Sequence, residues 1–347
     1  QAPCCAAPRR MERCGALQSP PHRQRVEALL HRLKDRALKP KDVLEVAEEL
    51  RRGRLLRDAR GFTTLFVALR RHKLWAAAVA ALETMGGSGV EVDAIACNAV
   101  ISACERAKQW AASLEILSTM KQRGPAPNVV TYSAAISACE KQRKWEWALA
   151  LLAEVHGWTL EADAIVFCAA ISACDKGGQW EKALGVASEM AARQLEPTTA
   201  TCNAAISACG SGCRWLEALG LLEGMGQRRL EQDVISYSAA ATACERAGQW
   251  LQSLRLLRDI RARKIDPNAF TYSAAATACQ GSGRWELGLG VLLDMQAAGL
   301  EPNAVTSGAL AGCHEEGGQW EQALHFIAAL GLAGPRPNAV ACSAAIG

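Results

Sequence analysis

The stretch Val129–Asp163, VVTYSAAISACEKQRKWEWALALLAEVHGWTLEAD, holds one complete structural unit in 35 residues. Tyr132, Ala135, Ile136 and Cys139 recur at i, i+3, i+4 and i+7, the spacing of a helix with one buried face. After the polar break Lys141, Gln142, Arg143, Lys144, the spacing starts again at Trp145, Ala148, Leu149 and Leu152. The stretch therefore reads as a helical hairpin. One hairpin cannot bury its apolar face alone, so it needs neighbours of the same kind.

The neighbours are visible in both directions. Trp75, Trp110, Trp145, Trp180, Trp215, Trp250, Trp285 and Trp320 recur at a step of 35 residues, and Cys104, Cys139, Cys174, Cys209, Cys244 and Cys279 stand six before their tryptophans. A rare, bulky residue held in register over that distance marks a tandem repeat. Pro127, Pro197, Pro267, Pro302 and Pro337 stop the second helix of their units. Glycine pairs such as Gly177-Gly178 and Gly317-Gly318 stand in the polar break. Thr131, Thr201 and Thr271 are expected to cap the restarting helix through a side-chain oxygen. The predicted fold is all-α, a right-handed α-solenoid of stacked helical hairpins with its concave face lined by the first helices. The tryptophan column is expected in the core, and nothing assigns a ligand to Trp147 or Trp158, which fall outside it.

The expected organisation is residues 1–23 as a disordered or targeting remnant, 24–58 as a degenerate helical cap, 59–338 as eight units, and 339–347 as the start of a ninth. A chain that begins at Gln1 and stops at Gly347 inside a unit reads as a fragment. Half the residues are apolar, yet no apolar run reaches the 18 or so needed to cross a bilayer, and no membrane partner is expected. The 15 cysteines mostly occupy helical core positions, which suits reduced structural thiols. No C-x-x-C pair occurs, and His314-x-Glu316 beside Cys313 lacks the P-C-x-x-C that completes a zinc-deaminase signature, so no metal or cofactor is expected. The net charge of +4 is uneven: residues 1–58 carry 14 Lys/Arg against 8 Asp/Glu, whereas 59–347 carry 25 against 27. The repeat body is not a general polyanion binder.

With these residues in view, the 35-residue step, the V-V-T-Y-S opening (Val129 to Ser133), the A-C-E-K block and the closing P-N or x-D resemble the pentatricopeptide repeat. The tetratricopeptide repeat, the nearest competitor, has a step one residue shorter and places its aromatic and glycine columns elsewhere. The resemblance implies sequence-specific binding of single-stranded RNA, one base per unit, read by two or three side chains.

In that family the fifth and last residues of a unit form the reading pair. The pairs here are Thr63 with Asp93, Asn98 with Asn128, Ser133 with Asp163, Cys168 with Thr198, Asn203 with Asp233, Ser238 with Asn268, Ser273 with Asn303, and Gly308 with Asn338. An aspartate only accepts, which suits guanine or uracil with a ring N–H, while an asparagine amide donates to the ring acceptors of adenine or cytosine. The family's rule adds Ser or Thr for purines and Asn for pyrimidines. Together they imply, from 5′ to 3′, G, C or U, G, an unassigned base, U, A, A, and an eighth base, A, read by Asn338 without help from Gly308.

Two more columns follow from the resemblance. The second residue, which sandwiches a base between units in the family, is Arg60, Ile95, Val130, Ile165, Ala200, Ile235, Phe270 and Val305. The alternative is that these side chains simply pack between units. Arg71, Arg106, Lys141, Lys176 and Arg246 occupy the thirteenth position, where regular spacing suits a phosphate backbone and where a cation also suits a helix C-terminus.

No glycine-rich phosphate loop, H-E-x-x-H or nucleophile elbow occurs. The chain is expected to be a binding protein and not an enzyme. Units of one length resemble the subclass that processes, stabilises or translates organellar transcripts. The resemblance, with Arg9, Arg10, Arg13, Arg23 and Arg25 near the start, points to mitochondrion or chloroplast. A protein-interaction scaffold, and the RNA-binding part of an enzyme whose catalytic domain is missing, are the alternatives.

Overall fold

The computed structural model of the chain describes residues 22–35, 37–53, 55–56, 58–157, 163–300 and 306. Among them are sixteen helices and no strand, in consecutive hairpins. These are α1 (His22–Lys34) with α2 (Pro40–Arg52), α3 (Ala59–Arg71) with α4 (Trp75–Gly87), α5 (Ala94–Arg106) with α6 (Trp110–Arg123), and α7 (Val129–Lys141) with α8 (Trp145–Gly157). They continue as α9 (Ala164–Lys176) with α10 (Trp180–Ala192), α11 (Thr199–Ser211) with α12 (Trp215–Gln227), α13 (Val234–Arg246) with α14 (Trp250–Ala262), and α15 (Ala269–Gln280) with α16 (Trp285–Ala297). His314 and the residues around it, Trp158 and Trp320 lie outside the described residues.

From α3 to α15 each first helix packs closely on the described first helices beside it, whereas from α4 onward the second helices of neighbouring units meet only through long side chains, as in the ion pairs of Lys121 with Glu154 and Arg261 with Asp294. The first helices therefore form the tightly spaced inner layer of a solenoid, and the second helices spread on the outside.

Small side chains make the inner layer possible. Ala103-Cys104, Ala138-Cys139, Ala173-Cys174, Ala208-Cys209, Ala243-Cys244 and Ala278-Cys279 are all buried, and Ala78, Ala148, Ala183 and Ala218 hold the facing position on the second helices. Burial pushes the thiols of Cys104, Cys139, Cys174, Cys209, Cys244 and Cys279 up to about 11, so at neutral pH they behave as small hydrophobes.

The two helices of a unit are joined by a tight left-handed turn. Gly178 and Gly248 take φ of 72° and 68° there, and Lys108, Arg143 and Cys213 adopt φ of 60°, 57° and 54° at the equivalent place. The next N–H then reaches back to the cysteine carbonyl, as in Gln109 N–H to Cys104 O at 2.9 Å and Lys144 N–H to Cys139 O at 3.0 Å, closing the helix with a Schellman bond.

Trp75, Trp110, Trp145, Trp180, Trp215 and Trp250 are half-buried, and the first five pack on the core from its margin, so none is a core residue in the full sense expected from its spacing. Trp110, Trp145, Trp180 and Trp250 are overlaid by the turn of the following unit. Lys144 lies over Trp110 at 5.4 Å, Arg214 over Trp180 at 5.2 Å and Arg284 over Trp250 at 5.5 Å from the ring centroids. Contacts of this kind contribute about 0.5–1 kcal/mol at exposed sites.

Candidate nucleic-acid interface

A first helix that starts on the inner layer leaves its first backbone N–H groups without partners, and the last residue of the preceding unit satisfies one of them. Asp93 accepts from Ala96 N–H at 2.8 Å, Asn128 from Thr131 at 3.0 Å, Asp163 from Val166 at 3.0 Å, Thr198 from Thr201 at 3.2 Å, Asp233 from Ser236 at 2.8 Å and Asn268 from Thr271 at 2.9 Å. Thr131, Thr201 and Thr271 are therefore not the caps. They lie one turn inside, and the cap is the residue three before each. The same six side chains that the resemblance marks for base reading thus hold a structural job.

Capping also decides what these side chains offer to a ligand. One oxygen of each Asx side chain is spent on the helix, so Asp233 retains Oδ2 as an acceptor and Asn128 retains its Nδ2 amide as a donor. Burial pushes the Asp233 carboxyl up, but hydrogen bonds from the Ser236 N–H and hydroxyl, the Asn203 amide and the Ile235 N–H outweigh it and hold the group below the usual carboxylate range. Asp233 is an anion at neutral pH.

The fifth residues meet these caps across the joint between units. Asn98 Nδ2 donates to Asn128 Oδ1 at 3.4 Å, Asn203 Nδ2 to Asp233 Oδ1 at 3.2 Å, and Ser238 Oγ lies 3.2 Å from Asn268 Oδ1. All six of these side chains are at least partly open to solvent. Thr63 Oγ1 instead donates to Ala59 O at 3.0 Å and Ser273 Oγ to Ala269 O at 2.7 Å, the back-bond of a hydroxyl within its own helix. Ser133 and Asp163 are also accessible. Thr198 has a single heteroatom, already engaged by Thr201 N–H and the Thr201 hydroxyl. Its partner Cys168 has its thiol pushed up by burial and hydrogen-bonded to Thr201. Asn303, Gly308 and Asn338 lie outside the described residues.

Beside the pairs runs a row of exposed apolar side chains. Ile95 is 64 % exposed, Val130 61 %, Ile165 63 %, Ile235 62 % and Phe270 75 %. Arg60 and Ala200 are exposed in the same row, and Val305 lies outside the described residues. These side chains do not pack between units. Isolated exposed aliphatics are ordinary, but a row of them in register, each two residues past a polar pair, is not.

The basic column is less open. Lys141 Nζ binds Glu105 Oε1 at 2.7 Å and Lys176 Nζ binds Glu140 Oε1 at 2.6 Å, each reaching one unit back. Arg71 donates to Asp35 O at 3.2 Å, while Arg106 and Arg246 are exposed. The acidic partners, Glu105 and Glu140, stand one residue before the basic column, a signal present in the sequence that the reading by columns passed over.

The geometry defines a helical-repeat protein with side-chain pairs at the joints of its inner layer and, in five of the described units, an exposed apolar side chain beside them. Family models for the pentatricopeptide repeat domain match residues 81–142, and for the PPR repeat 130–158 and 200–230. Among solved structures, the pentatricopeptide repeat protein PPR10 from maize is 25% identical over 93% of this chain and 51% of that one, with a TM-score of 0.60. PPR10 in complex with an 18-nt psaJ RNA element is 19% identical over 92% of this chain and 47% of that one, with a TM-score of 0.74. The chain spans about half the length of these solved relatives. A search of curated proteins found no match. The chain thus carries pentatricopeptide repeats within residues 81–158 and 200–230, on a fold similar to that of PPR10.

Proposed function

We propose that the chain binds single-stranded RNA in a sequence-selective way, one base per unit, with each base edge meeting the polar pair at a joint and its faces lying between exposed apolar residues of adjacent units. The observation that carries this reading is the register of the two rows: Val130 follows Asn128, Ile235 follows Asp233 and Phe270 follows Asn268 by two residues, at the start of each first helix. A planar heteroaromatic ring has two apolar faces and a polar edge, and this alternation complements it. Base stacking on aromatic side chains contributes about 1–3 kcal/mol per base, so aliphatic walls give less and Phe270 gives most.

The atoms left open sharpen the reading at two joints. Asn203 and Asp233 offer a donor beside an acceptor, the complement of a uracil carbonyl beside its N3–H. Asn98 and Asn128 offer two donors, which suit the adjacent N3 and O2 acceptors of cytosine better than a uracil N3–H. In this reading the chain acts on organellar transcripts, in mitochondrion or chloroplast, in processing, stability or translation, and does no chemistry of its own.

The test is a titration of the purified chain at about 150 mM salt with 5′-GCGNUAAA-3′ and with a scrambled oligonucleotide of the same composition. Tighter binding of the ordered sequence supports the reading; equal affinity removes the claim of selectivity.

A further inference from the structure

We propose that, at the joints whose fifth residue is Asn, the buried hydroxyl three residues after the cap, Thr131 or Ser236, is a positioning residue that sets which atoms the reading pair turns toward a base. The inference rests on the RNA-binding reading above and adds a residue to it that touches no base.

The bonds form a closed ring at each of these joints. Ser236 N–H donates to Asp233 Oδ1 at 2.8 Å, Asp233 N–H donates back to Ser236 Oγ at 3.3 Å, and Asn203 Nδ2 donates to Asp233 Oδ1 at 3.2 Å. The Ser236 hydroxyl closes the ring by donating to Asn203 Oδ1 at 2.6 Å, with Asp233 Oδ1 also in reach at 2.9 Å. Three units earlier the same four links join Thr131, Asn128 and Asn98, again with the hydroxyl 2.6 Å from the amide oxygen of Asn98. Both hydroxyl residues are fully buried, so neither can reach RNA.

A side-chain amide is nearly symmetric in shape and opposite in polarity at its two ends. Turning it over exchanges donor for acceptor at almost no steric cost. The buried hydroxyl removes that freedom by engaging the oxygen, so Nδ2 is the end left for a base. At both described joints whose fifth residue is Asn, the third residue of the next unit is Thr131 or Ser236. Thr201 and Thr271 hold the same place at the joints of Cys168 with Thr198 and Ser238 with Asn268, where there is no fifth-residue amide to orient, and at the joints of Thr63 with Asp93 and Ser133 with Asp163 it is Ala96 or Val166. A fifth-residue hydroxyl has no second end to turn over: Thr63 Oγ1 and Ser238 Oγ both donate back to their own helices, and only Ser238 has a buried hydroxyl, Thr271, beside it.

The test compares the unaltered chain with Ser236→Ala and Ser236→Thr, using one set of four oligonucleotides varied only at the fifth base and two matched sets varied only at the second or the sixth. In Ser236→Ala the preference for U over C at that base falls about fivefold, the effect of about one hydrogen bond, while preferences at the second and sixth bases stay as they were. Ser236→Thr keeps the wild-type ratio. A uniform loss of affinity for all four RNAs, with the ratio intact, overturns the proposal and leaves Ser236 as a capping residue. Should Ser236→Ala not fold, the converse decides: Thr63→Asn alone gives weak U selectivity at the first base, and Thr63→Asn with Ala96→Ser strengthens it. Equal selectivity in those two variants also overturns the proposal. Absence of any fifth-base preference in the unaltered chain overturns the RNA reading itself, and this inference with it.

Discussion

Gly177 lies so close to Trp145 that a Cβ on the glycine would stand 2.5 Å from the indole Cδ1. The turn of one unit is thus seated on the tryptophan of the unit before, and the seat accepts no side chain at that point. Gly177→Ala is expected to destabilise the chain by about 1–3 kcal/mol, the usual effect of overpacking. Gly185→Ala, on the open face of α10 with nothing within 4 Å, is expected to stabilise it by about 0.5–1 kcal/mol. Urea unfolding of the two variants checks both signs.

Ser253 is fully buried on α14, and its hydroxyl has no hydrogen-bond partner. Ala148, Ala183 and Ala218 hold the same place on other second helices. Ser253→Ala therefore removes an unsatisfied polar group at no loss of packing and is expected to stabilise by about 1 kcal/mol. Ser113 is equally buried, but its hydroxyl donates to Gln109 O at 3.2 Å, so Ser113→Ala should stabilise less. Denaturation midpoints of the two variants separate the cases.

Thr198 has no heteroatom left after capping its helix, and Cys168 offers only a thiol hydrogen-bonded to Thr201. The unit from 164 to 198 is expected to discriminate poorly among the four bases. Cys168→Asn combined with Thr198→Asp recreates the Asn203–Asp233 pair beside a resident Thr201 hydroxyl, and should install a preference for U at the fourth base. Competition binding with four oligonucleotides varied at that base reads the change.

The Asp233 carboxyl is held below its ordinary value, so its contribution to stability is present above the unfolded carboxylate value of about 3.9 and is lost as pH falls through the lower folded value. The carboxylate therefore stays an acceptor across mildly acidic conditions. The preference for U over C at the fifth base should be unchanged between about pH 7.5 and 5, whereas Asp233→Asn should shift it toward C at every pH. A fifth-base preference that weakens steadily over that range would show that Asp233 does not make the contact.

Alkylation should sort the thiols by exposure. Cys213 is exposed, whereas Cys104, Cys139, Cys174, Cys209, Cys244 and Cys279 are buried with thiols pushed up to about 11. Mass spectrometry of the native chain treated with iodoacetamide should find Cys213 modified well before those six.

The hairpin and its step were legible because they rest on local apolar spacing. Trp145, Ala148, Leu149 and Leu152 repeat a helical pattern that any neighbour of the same kind completes. The place of the tryptophans was not legible. Their spacing puts them on the apolar face, but which part of that face a neighbouring unit covers depends on the offset between hairpins, and no local pattern carries that offset. The caps were half legible: Asn128 and Thr131 stand at the spacing of a capping box, yet either residue of such a pair can look like the cap until the helix start is fixed. The fate of the basic column was hidden for another reason. Lys141 finds Glu105 36 residues back, a separation that means nothing until the units are stacked.

The joint between Asn203 and Asp233 gives the most direct measurement. Asn203→Ser converts it to the pairing already present in Ser133 with Asp163, and affinities are read for oligonucleotides carrying each of the four bases at the fifth position. The expected result is a preference that moves from U to G at that base and nowhere else. A preference for U that survives the exchange would contradict the assignment of one base to each pair.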